Sequence, residues 1–249
     1  MNGLIGYTGF VGSNILKTLS IKKKFNSKNI NLIHKYNFNI LFCAAPSSLK
    51  FYANKYPKKD KKNILNLIKI LKKVNCRKFI QISTIDVYNQ RIHSNEISKI
   101  TDKKLSSYGK NRRLLEKFII KNFKDYHIIR LPNLIGENLK KNVIYDIVNK
   151  KKIFINLNSI QQWYNLRNFK KDIKVIINNK IKCINLVSEP IPIKEIIKNF
   201  SIPKITNKYE QIKYNIKSKY SNLFNKKNYI YYKKDIILEI INYIKKNLK

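Results

Sequence analysis

Seven residues near the start of the chain, Gly6-Tyr7-Thr8-Gly9-Phe10-Val11-Gly12, constrain the fold more than any other feature. Residues 2–5, which end in the apolar pair Leu4-Ile5, precede them and read as a short buried strand. A segment with helical spacing, from about Val11 to Leu19, follows. Strand, glycine turn and helix together open a βαβ unit. Glycines at this spacing let the chain turn tightly, bring backbone N–H groups against a pyrophosphate and let the helix pack closely on the strand. A plain glycine turn has the same letters, and the flanking strand and helix are what favour the phosphate reading.

The first half of the chain continues the alternation. Phe25-Asn26 reads as a brief strand, residues 30–36 as a helix, and residues 39–45 (N-I-L-F-C-A-A) as a fully buried strand closed by Pro46. Ile64, Leu67, Ile68, Leu71 and Val74 form one helical stripe, and residues 79–83 return as a strand. Leu114, Leu115, Phe118 and Ile119 mark another helix, and residues 127–131 a strand stopped by Pro132. Such alternation predicts an α/β fold, a Rossmann-like doubly wound parallel sheet with a smaller C-terminal substrate lobe. The dinucleotide-binding core is expected over residues 1–135 and the lobe over 136–249. Within the lobe we expect a helix near 143–148, a strand near 183–187 that returns to the core sheet, and a C-terminal helix on Ile236, Ile237, Ile240, Ile241 and Ile244.

Charge raises a different class of function. The chain has 53 Lys+Arg against 14 Asp+Glu, a net +39, which ordinarily points to nucleic acid or an anionic membrane. Only six of the 53 are arginines, and the lysines travel with Asn and Ile along the whole chain instead of forming one patch. The runs at 58–62, 150–152 and 245–246 therefore read as solvated faces, and a nucleic-acid partner is discounted. A positive field still helps capture anionic cofactors. No stretch reaches 18 apolar residues and no signal-peptide pattern is visible, so a cytoplasmic chain with no membrane partner is expected. Cys43, Cys76 and Cys183 are far apart, and His34, His93 and His127 share no ligand spacing, so neither a disulfide framework nor a metal site is expected.

Two further segments carry chemistry. Ser83-Thr84-Ile85-Asp86-Val87-Tyr88 lies at the carboxyl end of a buried strand, where open α/β sheets place ligands. A hydroxyl there can bond a substrate oxygen, or merely satisfy the loop backbone. Tyr108-Gly109-Lys110-Asn111-Arg112 opens the next helix, and tyrosine and arginine four apart share a helix face. A cation beside a phenol favours its ionised form, which suits an acid/base exchanging a substrate proton. With 16 tyrosines in a basic chain this spacing also arises by chance.

The glycine loop, Ala44-Ala45, S-T-x-x-V-Y, Y-x-x-x-R, the run Arg130-Leu131-Pro132-Asn133-Leu134-Ile135-Gly136 and Asn185-Leu186-Val187-Ser188-Glu189-Pro190 occur in an order that resembles the extended short-chain dehydrogenase/reductases, the group of nucleotide-sugar epimerases and dehydratases. The resemblance implies an NAD or NADP cofactor held by Gly6, Thr8, Gly9, Phe10, Val11, Gly12, Ala44, Ala45, Ser83 and Pro132. It also implies that Thr84 orients the reacting oxygen, Tyr108 is the acid/base, and Arg112 takes the place of the residue that holds the nicotinamide ribose and lowers the tyrosine pKa. It further implies a sugar-like, nucleotide-activated substrate and raises homodimerisation through sheet-flanking helices.

Three departures qualify it. Arg112 stands where that group usually has lysine, and guanidinium is a planar fork where ammonium is a point charge. Gly12 and Cys43 are only 31 positions apart, too few for the usual pair of strands and helices, so a strand is expected to be missing on the adenosine side. Asn26, Ser27 and Lys28 then mark the ribose neighbourhood, with Lys28 leaning toward NADP. Gln161-Gln162-Trp163-Tyr164 offers glutamine where many relatives carry a diphosphate-binding arginine. Asp86, Asn133, Gln161 and Trp163 are the candidate substrate residues: Asp86 as a dehydratase-type acid or a loop salt bridge, Trp163 as a sugar platform or lobe packing. The competing reading is a regulatory protein that keeps the cofactor fold but has lost turnover.

Overall fold

The computed structural model describes residues 1–200, 205–206 and 209–248. It divides into two compact units, one comprising residues 1–89, 98–130 and 167–184, the other residues 90–97, 131–166 and 185–249.

The first unit is built on a six-stranded parallel sheet. Its strands are β1 (Asn2–Ile5), β2 (Lys23–Phe25), β3 (Asn37–Cys43), β4 (Asn75–Thr84), β5 (Tyr126–Leu131) and β6 (Cys183–Asn185), in the order β6-β5-β4-β3-β1-β2. β1 pairs with β2 on one side and β3 on the other, which makes the carboxyl end of β1 the topological switch point where such sheets bind ligands. A doubly wound dinucleotide sheet normally has a further strand outside β2. Here β2 is the edge and only 3 residues long, so the expected shortening is present.

The helices of this unit are α1 (Phe10–Thr18), α2 (Lys50–Lys55), α3 (Pro57–Leu71), α4 (Ser107–Asn122) and α5 (Phe169–Asn178). α3 packs on α4 and α1 on α5. β3 shows why the central strands read as continuous apolar runs. Leu41 and Cys43 join the cluster formed by Ile64, Leu67, Leu71, Leu115 and Ile119 of α3 and α4, while Phe42 meets Phe169 of α5 across the opposite face. Burying one such side chain stabilises the fold by about 1.5–3 kcal/mol. Pro57 opens α3 at a position where its missing N–H costs nothing, and Ser106 caps α4 by accepting from the Gly109 N–H at 3.2 Å. The helix expected over residues 30–36 is a 3₁₀ helix, Ile30–Lys35, that buries Ile33 and half-buries Ile30 against the core. α5 was not apparent in the pattern.

In the second unit, Asn133–Ile135 and Trp163–Asn165 pair in parallel. The helix Val143–Val148 starts at Asn142, whose side-chain oxygen accepts from the N–H groups of Ile144 and Tyr145. The expected C-terminal helix spans Lys233–Asn247 and buries Ile236, Ile240 and Ile244 against Val143–Val148 and Trp163–Asn165. The amide of Gln162, fully buried, donates to Ser188 and Ile216 carbonyls and accepts from the Ile216 N–H. Among the described residues no helix is long and apolar enough to cross a membrane, and no group of three His, Cys, Asp or Glu could hold a metal ion.

Candidate active site

At the carboxyl end of β1, Gly6 adopts φ +83°, a conformation that favours glycine. Its N–H donates to the Phe25 carbonyl at 2.7 Å, and its own carbonyl accepts from Gly9 at 3.0 Å. A Cβ on Gly12 would stand 2.7 Å from the Gly6 carbonyl carbon and 2.9 Å from Tyr7 Cα, so α1 reaches the loop only because position 12 has no side chain. Gly9 caps α1 without any side-chain hydrogen bond. The first N–H groups of a helix lack intrahelical partners, so this end of α1 suits an anion. Thr8 lies in the same turn, Phe10 and Val11 open α1, and a Cβ on Gly6 would press on Ala44 and Ala45 at the end of β3.

Thr84 ends β4. Its hydroxyl accepts from the Asp86 N–H at 3.1 Å and lies 3.4 Å from the Asp86 carboxylate, which is paired with Lys50 of α2 at 2.7 Å. Tyr108, 8% exposed, sits in the first turn of α4. That turn is tied down on two sides. The Tyr108 N–H donates to Asn54 of α2 at 2.9 Å, and Gly109 comes so close to the Asp86 carbonyl that a Cβ would collide with it. Thr84, Asp86 and Arg112 all act on the phenol of Tyr108.

Arg112 shares the helix face with Tyr108, as its spacing predicts, and is also held by a partner the sequence did not suggest. Its guanidinium lies over the face of the Tyr108 ring, 4.4 Å from the centre, and both its terminal nitrogens grip Asp60 of α3, at 2.8 and 3.2 Å. Nη2 also donates to the Ser47 carbonyl. Arg112 and Asp60 are 4% and 5% exposed, and Asn111 adds a 2.8 Å bond to Asp60. Arg112 acts on the phenol in the expected direction, through its charge and a side-chain hydrogen bond, but burial outweighs it. Burial pushes the Tyr108 phenol up, Arg112 and Thr84 only partly oppose this, the Asp86 carboxylate adds to it, and the net position is above the ordinary value. Asp60 was hidden in the sequence as the one acid in Lys58-Lys59-Asp60-Lys61-Lys62, a run taken for a solvated face.

Other candidates have their side chains engaged. The Ser83 hydroxyl donates to Glu116 at 2.6 Å. Glu116, fully buried, also receives two bonds from Arg130 and one from Arg113, and Arg130 continues to the Tyr88 hydroxyl at 2.7 Å. The Asn26 side chain accepts from the Lys28 N–H and donates to the Tyr7 hydroxyl at 3.2 Å, so it shapes the turn after β2. In the second unit Pro132 precedes Asn133, whose amide donates to Gln161 at 3.1 Å, bringing these two candidates together. Trp163 is fully enclosed, so its ring has no face open to a sugar, and the packing alternative describes it. Lys50, Asn54, Asp60, Gly109 and Glu116 were missed as site-forming residues, since their roles arise from contacts between separate elements.

No protein-family model matches the sequence, and no curated protein matches it. Solved structures do match. UDP-glucose 4-epimerase of Thermotoga maritima, with UDP-glucose, is 15% identical with a TM-score of 0.75 over 100% of both chains. A dTDP-4-dehydrorhamnose reductase of Clostridium acetobutylicum is 16% identical with a TM-score of 0.74, over 98% of this chain and 100% of that one. RMD of Pseudomonas aeruginosa, complexed with NADPH, is 15% identical with a TM-score of 0.71, over 100% and 99%. With its glycine turn at the switch point and its parallel sheet cut short beyond β2, the chain has the fold of the extended short-chain dehydrogenase/reductases.

Proposed function

We propose that the chain is an NAD(P)-dependent oxidoreductase of the epimerase, reductase or dehydratase kind, acting on a sugar-like substrate activated by a nucleotide. The observation that carries this reading is the grouping, at the carboxyl ends of β1, β3 and β4, of an uncapped helix terminus behind a left-handed glycine and a buried tyrosine beside a threonine hydroxyl. Gly6, Gly9 and Gly12 with the α1 terminus would hold the pyrophosphate, and Ala44-Ala45 would flank it. A bound nicotinamide would supply or take up hydride. The chain's own part is to orient the reacting oxygen with Thr84 and to move its proton with Tyr108. Asp86, held on Lys50, is the proposed substrate contact of the first unit. The NADPH and UDP-glucose of the neighbouring structures support both ligand classes.

A second reading, a cofactor-binding protein without turnover, draws on the Arg112–Asp60 pair, which occupies the cation expected to serve the ribose. Titration with NADH and NADPH, followed by nicotinamide fluorescence, tests the shared part, and absence of binding by both would overturn both readings. Turnover of a panel of nucleotide sugars by the native chain and by Tyr108→Phe then separates them. The enzyme reading predicts activity that the variant loses while still binding dinucleotide.

A further inference from the structure

Phe51 is 81% exposed, and among the described residues no large apolar side chain is more open to solvent. Leu49 and Tyr56, 51% and 44% exposed, flank it at the two ends of α2. Such residues need no explanation singly, whereas several together beside charge of one sign mark a contact surface. The start of α3 supplies that charge. Lys59 lies over the Tyr52 ring, 5.9 Å from its centre, and Lys55 over Tyr56 at 5.4 Å, with the two rings 4.9 Å apart, so aromatic groups and ammonium ions share one face. Lys55, Lys58, Lys59, Lys61 and Lys62 are all exposed. Asp60 is the one acid before Asp86, and it is buried on Arg112. Residues 49–62 therefore turn apolar groups and lysines outward and no carboxylate. Lysines occur along the whole chain, and it is their meeting with the most exposed apolar side chain that singles out this face.

We propose that this face docks the chain on an anionic lipid bilayer, with Phe51 and Leu49 entering the acyl boundary and Lys55, Lys58 and Lys62 meeting the headgroups. A bilayer takes both kinds of group at once, apolar side chains below the headgroups and ammonium ions among them. A second copy of the chain would set lysines against lysines. Nucleic acid is served by arginine forks and stacking rings, but Arg112 is buried, Arg113 is held by Glu116, and Leu49 cannot stack. The sequence expectation of no membrane partner rests on the want of a spanning segment, which peripheral docking does not need. The docking is independent of the dinucleotide reading above.

The test is flotation of the native chain with vesicles of phosphatidylcholine and phosphatidylserine, and a chain that does not float overturns the proposal. A net charge of +39 favours such vesicles through any face, so the variants locate the contact. Lys55→Gln, Lys58→Gln and Lys62→Gln combined should weaken binding roughly a hundredfold, at about fivefold per lysine. Lys170→Gln, Lys174→Gln and Lys180→Gln combined remove exposed charge on and after α5, on the opposite face of the sheet, and should weaken it by less than about tenfold. Equal losses in the two triple variants overturn the proposal. Phe51→Trp reports insertion. The one native tryptophan, Trp163, is fully buried, so emission that shifts to the blue with these vesicles and is quenched by brominated acyl chains comes from position 51. An unshifted emission overturns the proposal. So does an emission moved by chain concentration alone, which assigns the face to a second copy, or by single-stranded RNA and not by vesicles, which assigns it to nucleic acid.

Discussion

Replacing Gly12 by alanine tests the construction of the glycine turn. The added Cβ would sit 2.7 Å from the Gly6 carbonyl carbon and 2.9 Å from Tyr7 Cα, where ordinary contact begins at 3.4 Å. Both neighbours are backbone atoms of the same turn and cannot rotate away, so either α1 or the turn must shift. Overpacking of this kind costs about 1–3 kcal/mol, and the upper end applies where backbone has to move. For a chain of this size about 3 kcal/mol lowers Tm by roughly 6–12 °C. Gly9 supplies the control, because its φ of −77° suits any residue and an added Cβ meets only the Gly6 oxygen, at 3.3 Å. Gly9→Ala should stay within about 1 kcal/mol of the native chain. Thermal unfolding followed by circular dichroism measures both. Equal losses in the two variants, or a Gly12→Ala chain as stable as the native one, would refute the reasoning.

Three other outcomes follow from the buried charges and thiols. Glu116→Ala strands the buried Arg130 without its carboxylate and should cost about 3–5 kcal/mol in denaturant unfolding, far more than an exposed Lys→Ala. Burial alone would raise the Glu116 carboxyl, but Arg130, Ser83 and Arg113 outweigh it and hold it below the usual range. Its contribution is then complete above the unfolded glutamate value of about 4.3 and is lost as pH falls through the folded value, so Glu116→Gln should flatten the acid limb of stability against pH. Burial pushes the Cys43 and Cys76 thiols up to about 12. Alkylation of both at neutral pH should accordingly be slower in the native than in the unfolded chain, most of all at Cys43, which is buried where Cys76 is half-buried, and equal rates by mass spectrometry would contradict this.

The sequence announces its strands where they are buried on both faces, because Leu41, Phe42 and Cys43 must all be apolar when α3, α4 and α5 cover the sheet on both sides. The missing adenosine-side strand was legible from spacing alone, as 31 positions cannot carry another strand and helix. The surroundings of Tyr108 were not. Asp60 meets Arg112 across 52 positions and lies among four lysines, so neither periodicity nor motif picks it out. Glu116 binds residues at 83, 113 and 130, a grouping that exists only once β4, α4 and β5 lie side by side. α5 escaped notice because Phe169, Ile173 and Ile176 are interrupted by lysines that the folded helix turns outward. Trp163 invited a binding role by rarity, although a large ring is as readily used to fill a core.

A crystal structure with NADPH bound would test the account at its centre. The pyrophosphate should lie against the Gly6–Gly12 turn at the start of α1, with the nicotinamide ring beside the Tyr108 hydroxyl and Arg112 still paired with Asp60. A dinucleotide seated elsewhere, or a Tyr108 hydroxyl out of reach of both nicotinamide and substrate, would contradict it.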